Sequence, residues 1–364
     1  MTRTQKQNAQ TLRAIDLFSG CGGLSLGLKD AGFAVSAAVE IDRKAAETYR
    51  LNHPTVHLYA KDIRSLDPAE VLRDADLMPG ELDLLAGCPP CQGFSRLRTK
   101  NKRASVRDDR NNLVADFLRF INVMKPKTVM LENVPALARN HRFVEVLRHL
   151  HSLGYKTVVR VLDAADYAVP QRRKRLIMLA SIVHIPMLAN KVGYRITVRT
   201  ALKGLGSPRT ASDPLHGLGE KRTKRVREMI ALIPRDGGSR SDLPGHYQLD
   251  CHKRSNGFSD VYGRMAWDDV APTITSGCHN PSKGRFLHPS QNRTITLREA
   301  AVLQGFPRRY RFNVEHGKEA IALMIGNALP PPFIAAHASA LRSGLQEAAT
   351  AMFASVRSGR STDD

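Results

Sequence analysis

The segment LRAIDLFSGCGGLSLGLKDAGFAVSAAVEI, residues 12–41, decides the fold of this chain. It begins with an apolar and β-branched run at 12–18 that is typical of a buried strand. The run ends at the turn SGCGG, residues 19–23, and a helical pattern at 24–33 leads into a second apolar run at 34–41. A strand, a tight glycine turn, a helix and a second strand predict the first unit of a parallel sheet.

The alternation of strands and helices continues through the first half of the chain. The predicted elements after residue 41 are a helix at 43–52, a strand at 81–87, a helix at 116–125, and strands at 127–133, 156–164 and 174–181. This order predicts an α/β fold with a mostly parallel sheet and helices on both faces. Ligands of such sheets bind at the carboxyl ends of the strands.

A second kind of sequence begins near residue 186. Glycine, proline and basic residues are enriched from there to about 290, and the only regular pattern is a basic helix predicted at 218–233. A region of this length inside a compact fold usually has a function, so we predict a separate loop-rich domain rather than an insertion without one. Helical patterning returns at 297–306 and at 319–349, where Pro330–332 interrupt it.

Charge is the most informative bulk property. The chain has 364 residues, with 55 Lys and Arg against 34 Asp and Glu, which gives a formal net charge of +21. A nucleic acid partner explains this charge better than a small metabolite does; a generally basic surface without a specific partner is the alternative. Five cysteines, no run of 18 apolar residues and a polar N-terminus predict a cytoplasmic protein without a membrane association.

The glycine turn is a candidate cofactor site. Its glycines allow close approach of the backbone to a ligand, and Glu40, at the end of the next predicted strand, can accept hydrogen bonds from ribose hydroxyls. Asp62 follows an apolar patch at 56–60 and is placed either to accept from an adenine amino group or to cap a helix. These features alone also suit a dinucleotide, although the Gly-x-Gly-Gly spacing differs from the dinucleotide pattern.

The segment GCPPCQGFS, residues 87–95, follows the strand at 81–87 and allows three interpretations. A zinc site would need a second close pair of ligands, which the sequence lacks. A Cys-x-x-Cys redox site is a second interpretation, and a nucleophilic cysteine on a rigid turn is the third. The following segment at 96–112 has seven Lys or Arg between 96 and 110, which is typical either of a mobile loop that closes on phosphates or of a solvated surface loop.

Two further polar groups are placed at predicted strand ends. Glu132 directly follows the apolar residues of the strand at 127–133, where a carboxyl group is expected to have a raised pKa. Gln171, Arg173 and Arg175 alternate in an extended segment and are therefore expected to share one face.

Nine motifs then follow one another in an order that is itself informative. They are DLFSGCGG (16–23), VEID (39–42), KDI (61–63), GCPPCQGFS (87–95), RNNL (110–113), ENV (132–134), QRRKR (171–175), REAAVLQGFP (298–307) and GNALPP (326–331). In these motifs the chain resembles the DNA cytosine-5 methyltransferase family of bacterial and phage type. Leu329 in place of valine and Ile41 in place of an aromatic residue are mild departures.

The resemblance implies a Rossmann-like, S-adenosylmethionine-dependent methyltransferase domain with a smaller, loop-rich target-recognition domain. The implied division is a flexible lead-in at 1–11, a catalytic domain at 12–185 plus 312–350, a target-recognition domain at 186–311 and a flexible tail at 351–364.

The resemblance also implies a mechanism. Cys91 would add to C6 of a flipped-out cytosine, which makes C5 nucleophilic toward the methyl group of S-adenosylmethionine, and S-adenosylhomocysteine would be the product. Glu132 would bond N3 and the exocyclic amine, while Arg175, with Arg173, would hold O2 and support Cys91. Cys88 has no role in this scheme and is expected to be structural.

Further site residues are carried over from the same motifs. The implied cofactor contacts are Phe18, Gly20, Gly22, Gly23, Glu40, Asp62, Ile63, Leu113 and Asn327. The implied DNA contacts are Ser95, Gln171, Arg264, Thr273, Thr275, Arg285 and Arg298, with surface salt bridges as the alternative for the last two and Arg264. Trp267 is expected in the core rather than stacked on a base, and no metal is expected.

The partners that the resemblance implies are double-stranded DNA and a cognate restriction endonuclease acting separately. A monomer is expected, in the bacterial cytoplasm and associated with the nucleoid when bound to DNA. Two other functions stay open: an RNA methyltransferase built on the same motifs, and a catalytically silent DNA-binding protein, against which the intact Cys91, Glu132 and Arg175 argue.

Overall fold

The computed structural model describes residues 11–90, 113–247 and 260–358. Within them, seven strands form one mixed sheet in the order β3-β2-β1-β4-β5-β7-β6. The strands are β1 (Arg13–Leu17), β2 (Ala34–Val39), β3 (His57–Tyr59), β4 (Leu84–Gly87), β5 (Thr128–Asn133), β6 (Lys156–Asp163) and β7 (Lys174–Ser181). Only β7 among these runs antiparallel to its neighbours β5 and β6, so the prediction of a mostly parallel sheet is confirmed.

Helices connect the strands and continue beyond them. Those of the first half are α1 (Gly23–Asp30), α2 (Arg43–Asn52), α3 (Pro68–Asp74), α4 (Leu113–Met124) and α5 (His141–Ser152). Those of the second half are α6 (Val198–Leu202), α7 (Pro214–Gly217), α8 (Lys224–Leu232), α9 (Leu297–Leu303), α10 (Gly317–Asn327) and α11 (Pro331–Ser358). Short 3₁₀ turns link several of them, and the break between α10 and α11 falls at the prolines that the sequence singles out.

The two faces of the sheet bury separate cores, because successive side chains of a strand point to opposite sides. On β1, Ile15 and Leu17 face the core that α3, α4 and α5 cover, whereas Ala14 faces the core under α1 and α11. The last helix, α11, packs against the first helix, α1. The predicted arrangement with helices on both faces is thereby confirmed.

The second half of the described chain builds a third core next to the sheet. Residues from α6, α9 and α10 pack there with Cys21 of the glycine turn and Ala45 of α2. A smaller fourth cluster joins α8 to the segment around Tyr262. The helix predicted at 218–233 is shorter than expected and spans α8 alone, because Thr223 caps its start through Val226 N and Pro234 follows its end.

One helical stretch of the described residues, Val314–Met352, is long and apolar enough to cross a membrane by length and composition. Inside the fold 67% of its most apolar window is buried. A helix of the protein core has the same apolar length and the same burial, because it must be apolar in order to pack inside the fold.

Candidate active site

The glycine turn lies at the carboxyl end of β1, where the backbone takes conformations that few side chains allow. Phe18, Gly20 and Gly22 have φ of 62°, 55° and 98°. Gly22 N donates to Ser19 O at 2.9 Å, which closes the turn before α1 begins. A non-glycine residue at positive φ costs about 1–2 kcal/mol, so the conformation at Phe18 is strained and must be held by its neighbours.

Close packing beneath the turn explains two of its glycines. A Cβ at Gly22 would lie 2.5 Å from His53 Nε2 and 2.6 Å from the hydroxyl of Tyr310. A Cβ at Gly23 would lie 2.6 Å from Leu329 O, in the segment that leads into α11. A Cβ at Gly20, in contrast, would meet no heavy atom within 4 Å. The turn is therefore packed tightly on its inner side and open at Gly20.

Glu40 follows β2 and ties the turn to the start of α2. Its Oε2 accepts from Gly20 N at 2.8 Å and its Oε1 accepts from Asp42 N at 2.7 Å. Burial raises the pKa of Glu40, and the two backbone donors oppose that shift. Each carboxylate oxygen can accept more than one hydrogen bond, so these contacts leave capacity for ligand hydroxyls.

The other predicted cofactor residues lie on three segments: the turn after β3, the start of α4 and the end of α10. Asp62 caps a 3₁₀ turn at Ile63–Ser65 by accepting from Arg64 N at 3.0 Å, and the Arg64 guanidinium, 2.5 Å away, lowers its pKa. Ile63 is buried. Leu113 is the first residue of α4, and Asn327 is the exposed last residue of α10. Asp62 thus has the capping role that the sequence left as its alternative.

A second group of polar side chains surrounds a buried carboxyl group at the end of β5. Glu132 Oε1 lies 3.0 Å from Arg175 Nε, and its Oε2 accepts from Cys88 Sγ at 3.1 Å. The side chains of Arg175 and Glu132 are 15% and 2% exposed. Strands β4, β5 and β7 each contribute to this cluster, because Cys88 directly follows β4 and Arg175 lies at the start of β7.

Burial and the neighbouring charges have opposite effects on the pKa of Glu132. Burial raises its pKa, and the Arg175 guanidinium, the Cys88 thiol and the Arg173 guanidinium lower it. Oε1 makes an ion pair with Arg175 yet accepts no hydrogen bond from any described residue. A buried acceptor without a donor is costly, and this oxygen is available to a ligand that brings one.

The segment QRRKR alternates between the inside and the surface, as predicted. Gln171 and Arg173 are buried and Arg175 is nearly so, whereas Arg172 and Lys174 are exposed.

Gln171 and Arg173 use their polar atoms within the fold. Gln171 accepts from Ile274 N at 3.0 Å and donates to Leu303 O at 2.8 Å. Arg173 donates to Ile274 O and Gly326 O, both at 2.9 Å. The two side chains therefore join the QRRKR segment to the threonine element and to the end of α10. The predicted DNA contact of Gln171 is corrected to this internal bridge, because the side chain is fully buried.

Two of the predicted arginine contacts with DNA are also corrected. Arg264 is fully buried, and its guanidinium donates to Ile230 O, Ile233 O and His288 O among others. Arg298 is 5% exposed and pairs with Asp213 at 2.5 Å. Arg264 joins the end of α8 to the segment around His288, and Arg298 joins the start of α9 to Asp213. Neither side chain is free to reach DNA in this conformation.

The remaining predicted contacts lie nearer the surface. Arg285 donates to Gly237 O at 2.9 Å and lies 3.4 Å from the exposed Asp260, as in the salt-bridge alternative. Thr273 donates to Arg172 O at 2.6 Å, and Thr275 is exposed. Trp267 is partly buried against the third core.

Two important predictions fall outside the described residues. Cys91 and Ser95 belong to the segment 91–112, for which the structure makes no statement. In the described ranges, no group of three or more His, Cys, Asp or Glu side chains is arranged to hold a metal ion.

The residues that pack beneath the glycine turn and beside Glu132 were not predicted from the sequence. His53 contacts the glycine turn through Gly22 O at 3.1 Å and the Tyr310 hydroxyl at 3.1 Å, and burial lowers its pKa to about 4. Asp16 lies under the same turn and accepts from the Ser25 hydroxyl at 2.6 Å. Cys88, expected to be structural, contacts Glu132. Only Asp16 carried a sequence signal, a charged residue inside an apolar strand.

Comparison with known proteins identifies the family. A family model described as C-5 cytosine-specific DNA methylase matches residues 12–343. The chain is 35% identical over 331 residues to the type II methylase M.HgiDII of Herpetosiphon aurantiacus, covering 87% of this chain and 91% of that protein. It is 31% identical over 348 residues to the type II methyltransferase M1.HphI of Haemophilus parahaemolyticus, covering 91% and 87%.

A solved structure agrees with this assignment. A DNA modification methyltransferase encoded within an Escherichia coli prophage superposes with a TM-score of 0.72 at 26% identity, covering 92% of this chain and all of that one. The order of its motifs, the Rossmann-like methyltransferase fold and the match along most of its length show that this chain belongs to the C-5 cytosine-specific DNA methylase family.

Proposed function

We propose that the protein is a sequence-specific DNA methyltransferase that transfers a methyl group from S-adenosylmethionine to C5 of a flipped-out cytosine. The observation that carries the proposal is the buried pair of Glu132 and Arg175 beside Cys88, three residues before Cys91. Oε1 of this buried carboxyl group accepts no hydrogen bond from the described residues, which suits a base whose exocyclic amino group supplies a donor.

Cys91 is the proposed nucleophile. Its thiolate forms a bond to C6 of cytosine, and the electrons of the 5,6 double bond make C5 nucleophilic, so that C5 bonds to the transferred methyl group. Loss of the C5 proton then restores the double bond as the sulfur leaves C6. Glu132 holds N3 and the exocyclic amine while charge develops on the ring. Arg175 holds O2 and keeps Glu132 in place, and Arg173 supports them from the buried bridge to Ile274 and Gly326.

The glycine turn suits a nucleoside cofactor. Open space at Gly20 and a half-buried carboxylate at Glu40 are the features that support this fit. When bound, S-adenosylmethionine supplies the methyl group. Phe18, Gly20, Gly22, Gly23 and Glu40 would hold the ribose and methionine parts, and Asp62, Ile63, Leu113 and Asn327 the rest.

DNA is the proposed substrate for three reasons. The net charge of +21 suits a polyanion, the relatives are named type II methylases, and the region 186–311 is the proposed target-recognition domain. Base-specific readout would come from Thr273, Thr275 and Ser95. A restriction–modification system with a separate endonuclease is the proposed setting, and a monomer in the cytoplasm the proposed state.

Trapping with 5-fluorocytosine DNA tests the proposal. Fluorine at C5 does not leave as a proton does, so we expect a covalent protein–DNA adduct that depends on S-adenosylmethionine and maps to Cys91. Cys91→Ala is expected to abolish both the adduct and methyl transfer while DNA binding remains. An adduct mapped to Cys88, or full transfer by Cys91→Ala, would refute the mechanism, and transfer to tRNA alone would refute the substrate.

A further inference from the structure

Cys88 lies where a side chain can act on the catalytic carboxyl group. It directly follows β4, and its backbone N donates to Leu17 O at 3.4 Å, so its position is set by the neighbouring strand β1. Its Sγ lies 3.1 Å from Glu132 Oε2, on the side of the carboxyl group away from the Oε1–Arg175 contact.

Glu132 is held from both sides by this arrangement. The terminal torsion of a glutamate side chain is broad and only loosely fixed by its own rotamers. Arg175 at Oε1 and Cys88 at Oε2 together fix the plane of the carboxyl group. Arg175 alone would fix one oxygen and leave the other to rotate.

We propose that Cys88 is a positioning residue for methyl transfer, whose thiol donates to Glu132 Oε2 and so sets the orientation and ionisation of that carboxyl group. The proposal rests on the proposed role of Glu132 in the reaction. Cys88 acts through Glu132 and takes no part in bond making at the cytosine.

The protonation state of Cys88 supports a donor role. Burial raises the pKa of its thiol well above the usual value, and the neighbouring Glu132 carboxylate raises it further, against the lowering effect of Arg175 and Arg173. Cys88 therefore keeps its proton at neutral pH, can donate it to a carboxylate, and is a poor nucleophile. This also separates the roles of the two cysteines of the GCPPC segment.

A thiol suits this position because its hydrogen bond is weak. It orders the carboxyl group through Oε2 and leaves Oε1 for the donor that the base brings. The charged and titratable groups that face Glu132 among the described residues are Cys88, Arg175 and Arg173. Removal of the thiol donor is therefore expected to raise the pKa of Glu132, since the donor stabilises the ionised form.

The test is the pH dependence of kcat and of kcat/KM in Cys88→Ala and Cys88→Ser, measured as methyl transfer to duplex DNA. In Cys88→Ala we expect the apparent pKa that Glu132 contributes to the pH profile to rise by about 0.5–1 unit. We expect kcat at neutral pH to change by about 3–10-fold. The KM for DNA should stay within about twofold, because the proposal gives Cys88 a role at Glu132 and none in holding the duplex. Cys88→Ser keeps a donor and should return the midpoint close to that of the wild type.

Cys278→Ala is the matched control. Cys278 is a buried thiol that lies in the third core, and none of its described contacts is with Glu132 or Arg175. Its loss should lower the thermal unfolding midpoint without moving the pH profile. Circular dichroism on all variants separates misfolding from the expected shift.

The outcomes distinguish the positioning role from the function itself. An unshifted profile in folded Cys88→Ala, with Glu132→Gln inactive, would overturn the positioning role and leave the proposed function standing. Full activity in Glu132→Gln would overturn the proposed function. An equal shift in Cys278→Ala would mean that general destabilisation moves the profile, which would also overturn the positioning role.

Discussion

Arg175 places its Nε 3.0 Å from Oε1 of Glu132, and both side chains are largely buried. Removal of one partner of a buried ion pair leaves the other charge uncompensated. We expect Arg175→Ala to lower the rate of methyl transfer by about 100-fold or more, because the carboxyl group loses its partner and O2 of the base loses its donor. Initial rates with radiolabelled S-adenosylmethionine measure this.

Lys174→Ala is the control for Arg175. Lys174 is the adjacent residue of β7 and is exposed on the opposite face. Its removal should change the rate by less than about twofold. Equal losses in the two variants would mean that the charge of the segment, rather than the contact with Glu132, matters.

Glu40→Ala tests the cofactor site. Loss of a charged acceptor for ribose hydroxyls and for Gly20 N is expected to weaken S-adenosylmethionine binding by about 10–100-fold, as measured by titration calorimetry. Glu47→Ala, on the exposed side of α2, should bind as the wild type does. Unchanged affinity in Glu40→Ala would contradict the assignment of the glycine turn as the cofactor site.

Gly22→Ala tests the packing beneath the turn. Gly22 and Gly80 have nearly equal φ of 98° and 94°, but only at Gly22 would a Cβ meet neighbours, His53 and Tyr310. Gly80→Ala should therefore lose about 1–2 kcal/mol of unfolding free energy from backbone strain alone. Gly22→Ala should lose that plus about 1–3 kcal/mol from the clash. Urea denaturation of both variants compares them, and equal losses would show that the inner side of the turn tolerates a methyl group.

The buried Asp16 should make the stability of the fold depend on pH. Burial raises its pKa to about 8, against the lowering effect of the Ser25 hydrogen bond, whereas an unfolded aspartate titrates near 3.9. Between those values the folded chain binds a proton that the unfolded chain releases, so this group's contribution to stability falls as the pH rises toward 8. Asp16→Asn removes the effect. We expect the variant to gain stability over the wild type between pH 5 and pH 8, by at most about 1.4 kcal/mol per pH unit; a constant difference would contradict a buried protonated Asp16.

The fold could be predicted from the sequence because its signals are local. The apolar runs of β1, β5 and β7 and the glycine turn mark the sheet without tertiary information. The strand predicted at 81–87 is observed only at Leu84–Gly87, as β4. Just before it, the carboxylate of Asp83 accepts hydrogen bonds from Arg13 N and from the Lys127 ammonium group. A side-chain partner of that kind has no signature in the sequence.

The candidate site could be predicted only in part, for a similar reason. Glu132 and Arg175 were predicted as partners in the reaction, and the structure brings them together. Arg264 and Arg298 were misjudged because a basic residue in a loop-rich region is usually exposed. Here both arginines donate to backbone carbonyls inside the fold, Arg264 to Ile233 O and Arg298 to Tyr310 O, and these contacts arise only when the chain has folded.

The decisive measurement is bisulfite sequencing of unmethylated plasmid DNA after incubation with the purified protein and S-adenosylmethionine. We expect protected cytosines within one short recurring sequence, absent without the cofactor and absent with Cys91→Ala. No protection at any cytosine, from folded protein that still binds DNA, would contradict a DNA cytosine-5 methyltransferase activity.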